Sequence, residues 1–502
     1  MSFETWQAKK LLEYGFWHRH GAAILSPGTD TGILPNPELF NRSHHPYPIM
    51  WVYTLLYTFA GAAGGAALAM LLRLAASVLT FCALDRHFDR FSAWCGAVLV
   101  TLAPVTLHLD SEVTNATTIA AVLWPLGAYL LSREKTESPT SPLPGRFIGL
   151  SVFLAVQTDW FPLTIVPALI VLAVEWQRLS FRKLADPLKH PVAGRILVAA
   201  VLTSALFLLG VIYYEADFGG LHHHVRMEAG GTGGAHSRWW KVLGLVPLRS
   251  VMFVGLPLIL GSVVGLFHRR QNRSPLVLAS LVYFVCWGLS ALALPQYFIN
   301  ETSIYAYALF PAAVLTALAI QHRQRFLPWV LIALCLPGMA EIYLYDSIPA
   351  LSDTSRVIGE FIASHSVATD VVLTNLEPGR RPFKPSDTSA GRAVRVAGDR
   401  RIFFGIRTPA ELDEIPQMIR QTNAPTLFVV DPACAITPEL REQLQRATLV
   451  HTATLALPVA KPSLAERIRA FVFYDIMHKG KAETASGQDD SKQETLEIYR
   501  LR

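Results

Sequence analysis

The chain has 502 residues, of which 52% are hydrophobic and only 16% charged, against about 25% charged in soluble globular proteins. With a positive mean hydropathy of +0.34, that composition excludes a disordered chain and argues against an ordinary soluble enzyme. Lys and Arg total 44 and Asp and Glu 38, a net charge of +6; spread over this length it is no nucleic-acid footprint.

In chain order, residues 1–46 lack the apolar core of a signal peptide. They read as an amphipathic segment (Trp6, Leu11, Leu12, Phe16, Trp17) followed by a Gly/Pro/Asn-rich loop. The aromatic-rich stretch 47–62 follows Pro46 and reads as an interfacial helix, because aromatic side chains gather at the headgroup level. Ten apolar runs follow, at roughly 65–84, 91–109, 114–132, 147–158, 160–176, 195–214, 249–267, 275–294, 305–320 and 327–345. A bilayer core takes about 20 mostly apolar residues per helix, so ten spans are expected. Fifteen basic residues, from Arg86 and Arg90 through Arg178, Arg182 and Lys183 to Arg323 and Arg325, fall in one set of loops. The opposite set holds four, Arg226, Arg238, Lys241 and Arg249. The richer side is cytoplasmic. Ten spans then place both ends outside, yet nothing before residue 47 could carry residues 1–46 across. The expectation is a missing upstream helix or a span count off by one.

After Asp346 the composition turns charged. Asp353–His365 reads as a helix, and Asp370–Thr374 and Thr426–Val430 as buried strands. Thr408-Pro409-Ala410-Glu411 and Thr437-Pro438-Glu439 read as helix starts, and 481–493 as a flexible loop. This alternation predicts a small α/β domain. The expected organisation is a first extracytoplasmic segment (1–46), a transmembrane domain (47–346) and a soluble α/β domain (347–502). The fold class is therefore an α-helical polytopic membrane protein of about ten transmembrane helices with a small C-terminal α/β extracytoplasmic domain. Neither GxGxxG nor GxxxxGK[ST] is present, so nucleotide binding has no support.

Ionisable residues that lipid should exclude are the informative ones in such a chain. They collect on the outer side: Glu4, Glu13 and Asp30; His44 and His45; Asp110 and Glu112; Asp159 with Trp160; Glu301; and His222, His223, His224 and Arg226, ahead of Arg238-Trp239-Trp240. Carboxylates there could serve as a general base or hold a divalent metal; Arg and His could hold a phosphate. For any one of them, a solvated polar loop is the alternative. Adjacent histidines point in different directions, which favours His–Arg cooperation on a phosphate over a three-His zinc site. Arg73 interrupts an apolar run. Its helix begins there at the outer interface, or it faces a polar cavity, or it snorkels.

These residues, in this order, resemble the C-superfamily membrane glycosyltransferases, which include protein O-mannosyltransferase-like and lipid A aminoarabinose transferase-like enzymes. Glu4 to Gly15 resembles the acidic motif of their first outer loop. His45-Pro46-Tyr47-Pro48 is similar to an "HPP" element, Arg73-Leu74-Ala75-Ala76-Ser77 to an "RLPS" start, and Asp159-Trp160-Phe161-Pro162 to "DWPG". Asp110-Ser111-Glu112 and Asn300-Glu301 also match. The chain departs from the pattern at Phe3, Tyr47 and Ala75, and it begins almost at the acidic motif, so it resembles a member lacking its first transmembrane helix.

The resemblance implies transfer of a hexosyl or pentosyl group from a polyprenyl-phosphate donor to a lipid, glycan or protein acceptor. The reaction would occur at the outer face of a bacterial plasma membrane, with inversion. It implies Glu4 as base, with Asp110, Glu112 and Asp159 in catalytic, acceptor or metal contacts, and Arg73, Arg226 and Arg238 on phosphate. His45, Trp160, His222 and Glu301 would bind substrate, and a divalent metal ion is a possible cofactor. The competing expectation is a transporter or flippase of a lipid-linked or small solute. It is disfavoured because no paired broken helices or internal repeat is visible.

Overall fold

The computed structural model describes residues 3–17, 48–106, 121–137, 143–157, 161–176, 191–215, 246–251, 253–269, 274–294, 303–322, 326–336, 348–367, 370–375, 397–403, 406–410, 426–430, 436–458 and 491–501, with 244, 298, 394 and 412. The chain divides into two units: Phe40–Leu344, and Met1–Leu39 together with Tyr345–Arg502.

The first unit is helical. Helix α2 (Pro48–Leu84) is interrupted at Gly61, whose φ of 57° and ψ of −148° break the helix. Glycine takes that conformation without a Cβ penalty. The stretch 47–62 and the run 65–84 thus form two helical segments meeting at Gly61. They are followed by α3 (Arg90–Thr101), α4 (Leu123–Glu137), α5 (Leu143–Val156) and a 3-10 turn (Phe161–Ile165) leading into α6 (Val166–Trp176). Next come α7 (Pro191–Glu215), α8 (Leu256–His268), α9 (Pro275–Ala293), a second 3-10 segment (Ser303–Ala308) leading into α10 (Leu309–His322), and α11 (Leu327–Ala333). Starts are set by local chemistry. Asp89 caps α3 by accepting from the Ser92 backbone N–H at 3.0 Å and the Ser92 hydroxyl at 2.6 Å. Ser274 caps α9 ahead of Pro275.

Three described segments are long and apolar enough to cross a membrane: Pro191–Gly210, Pro275–Ala293 and Ile304–His322. The first two are 33% buried and the third 94%, so α7 and α9 turn apolar faces outward while α10 is surrounded by protein. Glycines let α8 approach α10 closely. A Cβ at Gly261 would lie 2.5 Å from the Thr316 side chain, and one at Gly265 would run into the Leu315 carbonyl. The Ser262 hydroxyl donates to the Ala312 carbonyl at 3.1 Å across the same contact. In lipid, where no hydrophobic effect drives helices together, such small-residue contacts supply the packing.

His87, in the turn after α2, joins two further elements. Its Nδ1 lies 2.9 Å from Ser274 Oγ and its Nε2 3.0 Å from Ser132 Oγ. Ser132 spends its own proton on the Ala128 carbonyl at 2.6 Å, so Nε2 must be the donor to Ser132.

The second unit holds a five-stranded sheet in the order β2-β1-β3-β5-β4. Strands β1 (Val371–Thr374), β2 (Arg401–Phe403) and β3 (Thr426–Val430) run parallel; β5 (Ser491–Leu501) pairs antiparallel with both β3 and β4 (Thr448–Pro458). The parallel strands are apolar on both faces, as strands covered on both sides must be. Val372, Leu427 and Val429 pack with Ile358, Phe361 and Ile362 of α12 (Ile348–Ser364). Val371, Leu373, Phe428 and Val430 pack on the other face with Leu440 and Leu444 of α13 (Pro438–Gln445). Thr437 caps α13 through the Leu440 N–H. Ser491–Gln493, expected to be loop, begin β5. Helix α1 (Phe3–Tyr14) belongs to this unit.

Replacing Gly265 by Ala should force α8 and α10 apart and destabilise the helical unit by about 1–3 kcal/mol, the range for overpacking. Thermal unfolding in detergent would check it, and an unchanged midpoint would contradict the contact.

Candidate functional site

Arg73 stands on the second segment of α2. The helix runs through Arg73 from the Gly61 break, twelve residues earlier, rather than starting there. Eleven residues at about 1.5 Å each put Arg73 roughly 16 Å from the Leu84 end. An arginine so far inside an apolar helix needs a cavity to face, and Arg73 lines a cleft.

The cleft is small, with a cavity volume of about 50 Å3. Arg73, Ala76, Ser77 and Thr80 of α2 line it with Val100, Thr106, Ala121, Pro125, Ala306, Leu309 and Phe310. The Arg73 guanidinium nitrogens are shielded from solvent. Thr80 donates to the Ala76 carbonyl at 2.7 Å and Thr106 to the Val100 carbonyl at 2.9 Å. A hydroxyl has one proton, so both oxygens are left as acceptors. Among the described residues lining the cleft, Arg73 alone carries charge. The cleft thus sets one guanidinium among mostly apolar walls, and an anion there would pair with Arg73.

The 3-10 segment Ser303–Ala308 gives Ala306 to this cleft and Tyr305 and Tyr307 to an aromatic cluster. The Tyr305 ring stacks on Phe253 with centroids 5.5 Å apart and meets Trp287 edge-on at 5.9 Å. Phe161 meets Phe298 at 5.9 Å and Tyr307 at 5.2 Å. Arg249 is buried here (7% exposed), its guanidinium carbon 5.1 Å from the Phe253 ring centre. Arg249 hydrogen-bonds the Tyr305 side chain, whose hydroxyl donates to the Phe298 carbonyl at 2.9 Å. A desolvated cation over an aromatic face is a favourable contact. Sequence reading counted Arg249 only as one of four outer basic residues. Its sole local signal was Phe253 four residues on.

Of the residues selected from sequence, Arg73, Glu4 and Glu13 are described. Arg73 lines the cleft; Glu4 lies on α1 in the other unit. His45, Asp110, Glu112, Asp159, Trp160, His222, Arg226, Arg238 and Glu301 lie outside the described residues. Among the described residues no three His, Cys, Asp or Glu side chains gather as metal ligands.

No protein-family model matches the sequence, nor does any curated protein. Solved structures do match in shape. ArnT from Cupriavidus metallidurans bound to undecaprenyl phosphate aligns over 97% of this chain and 97% of its own, with a TM-score of 0.51 at 11% identity. The Archaeoglobus fulgidus oligosaccharyltransferase, in complex with Zn and sulfate, aligns over 99% of this chain and 84% of its own, with a TM-score of 0.52 at 10% identity. ArnT in the apo state aligns at 0.50. At such identities the likeness concerns the fold. From the apolar helices to the small sheet, this chain shares its fold with these solved structures.

Proposed function

We propose that the protein is an inverting glycosyltransferase that moves a hexosyl or pentosyl group from a polyprenyl-phosphate donor to a lipid, glycan or protein acceptor. One observation carries the reading: an arginine-lined cleft inside a helical membrane unit whose fold is shared with a protein that binds undecaprenyl phosphate. A carboxylate takes the proton of the acceptor hydroxyl. That oxygen attacks the anomeric carbon as the bond from carbon to phosphate oxygen breaks on the opposite face. Charge grows on the departing phosphate, and a guanidinium already held in a low-dielectric site stabilises it without reorganising. Arg73 fills that role, with Arg226 and Arg238 as further phosphate contacts. Glu4 is assigned as the base, and Asp110, Glu112 and Asp159 as its partners or as acceptor contacts. His45, Trp160, His222 and Glu301 are assigned to substrate.

Asp110, Glu112 and Asp159 are hard oxygen donors and suit a divalent cation, which would supply further charge for the leaving phosphate. The ten expected spans and the distribution of basic residues support a plasma-membrane protein with its α/β unit on the extracytoplasmic side.

Two measurements test this. Undecaprenyl phosphate should raise the thermal midpoint of the purified chain in nanodiscs, and Arg73→Met should reduce that shift strongly while Arg73→Lys keeps part of it. An equal shift in Arg73→Met would remove Arg73 from the site. Undecaprenyl-phosphate-linked mannose, glucose and aminoarabinose, read by release of undecaprenyl phosphate, should show turnover with at least one donor. Glu4→Gln, Asp110→Asn, Glu112→Gln and Asp159→Asn should leave the protein inserted, and loss of the base should cost about 10²–10⁴-fold in rate. Full turnover in all four variants would overturn the carboxylate assignment.

A further inference from the structure

Helix α1, which carries Glu4, is bound into the α/β unit by a buried lysine. Gln7, Ala8 and Leu11 of α1 are fully buried and Lys10 is 6% exposed. The Lys10 ammonium donates to Asp399 Oδ2 and to Glu13 Oε2, each at 2.7 Å. Glu13 also meets Lys9 at 3.5 Å. A buried ammonium with two carboxylates in hydrogen-bonding distance is a directional contact, and removing one partner leaves desolvated charge behind.

The other end of the contact is equally fixed. Asp399 has φ of 46°, left-handed backbone that aspartate tolerates better than most residues. Its neighbour Arg400 holds the loop in place. Nε donates to Ser366 Oγ at 2.9 Å, and Nη2 to the carbonyls of Ala363 and Ser366 at 3.1 and 2.8 Å. Nη1 returns to the Asp399 carbonyl at 3.1 Å. Behind it the loop lies backbone to backbone on α12: a Cβ at Gly359 would come within 2.7 Å of both the Gly398 nitrogen and the Val394 carbonyl. A continuous set of contacts thus runs from α1 through Lys10, Asp399 and Arg400 to the helix that covers the sheet.

We propose that the α/β unit is the positioning scaffold of the N-terminal helix, with Lys10 and Asp399 as positioning residues that hold the helix carrying Glu4. The proposal rests on the assignment of Glu4 as base. Burial lowers the Lys10 pKa, but its hydrogen bonds to Asp399 and Glu13 and their negative charge outweigh this, so the ammonium titrates above its ordinary 10.5. A raised lysine pKa stabilises fully below the unfolded value and ceases to as pH rises through the folded one. The lysine therefore keeps its charge across neutral pH and loses it in strong alkali.

The test uses the full chain in nanodiscs. In Asp399→Asn and Lys10→Met, amide hydrogen exchange of residues 3–14 should quicken while Val371–Thr374 and Thr426–Val430 stay slow. kcat with the undecaprenyl-phosphate sugar that turns over should fall about 10- to 100-fold, the scale of a misplaced catalytic group, with KM for that donor unchanged. Lys10→Arg, and the exchanged pair Lys10→Asp with Asp399→Lys, should restore both readouts. Unchanged exchange in Asp399→Asn overturns the clamp. Quickened exchange with unchanged kcat, while Glu4→Gln is inactive, overturns positioning but leaves the base assignment standing. Full activity in Glu4→Gln overturns that assignment and the catalytic half of the proposal with it, leaving exchange to judge the clamp.

Discussion

A guanidinium in the middle of an apolar helix is the constraint around which the helical unit is arranged. Inserting one costs about 2.5–3.5 kcal/mol on translocon scales, and the neighbouring helices must offset that by enclosing it away from lipid. Here α2 supplies Arg73 together with Ala76, Ser77 and Thr80, one turn and two turns further on, so the helix brings its own small and hydroxylated face to the cleft. The almost wholly buried α10 closes the other side with Leu309 and Phe310. Glycine-mediated contact with α8 holds α10 in place. The same 3-10 segment that contributes Ala306 carries the tyrosine that engages Arg249. Two buried cations are thus tied to one short element, each neighboured by a different chemistry: hydroxyls and small side chains for one, aromatic faces for the other.

The α/β unit follows water-soluble rules instead. Its parallel strands alternate strictly between two apolar layers, and its helices take up amphipathic faces against them. The N-terminal helix joins it although 389 positions separate Lys10 from Asp399. Burial of Ala8 and Leu11 supplies apolar area, and the ion pair supplies register. An exposed ion pair would contribute little, but the Lys10 side chain is almost wholly enclosed.

Much of this was legible in the sequence. Uninterrupted apolar runs gave most helices of the membrane unit, because lipid demands length and apolarity of every span. The buried strands at 371–374 and 426–430 and the Thr437 cap were legible because each depends on a handful of adjacent residues. Strand β5 was not: Ser491–Gln493 continue a charged, loop-like composition, and only Leu496 and Ile498, alternating inward, mark the strand. Arg73 stood out as an anomaly, yet its cleft is built from four separate stretches of chain, and no local pattern encodes that convergence. The role of Arg249 was hidden for the same reason, since its ring partner Tyr305 lies far along the sequence. Lys10 and Asp399 carried no signal at all; ordinary surface charges look identical until the fold brings them together.

The strand order has a consequence for biogenesis. Strand β5 lies between β3 and β4, supplying the backbone partners of both. Until residues 491–501 emerge during synthesis, β3 has one open flank and β4 has no neighbour. Such unpaired flanks invite pairing with other nascent chains. Chaperone protection would therefore be needed longest for this small sheet, after the helices made before it have already entered the bilayer.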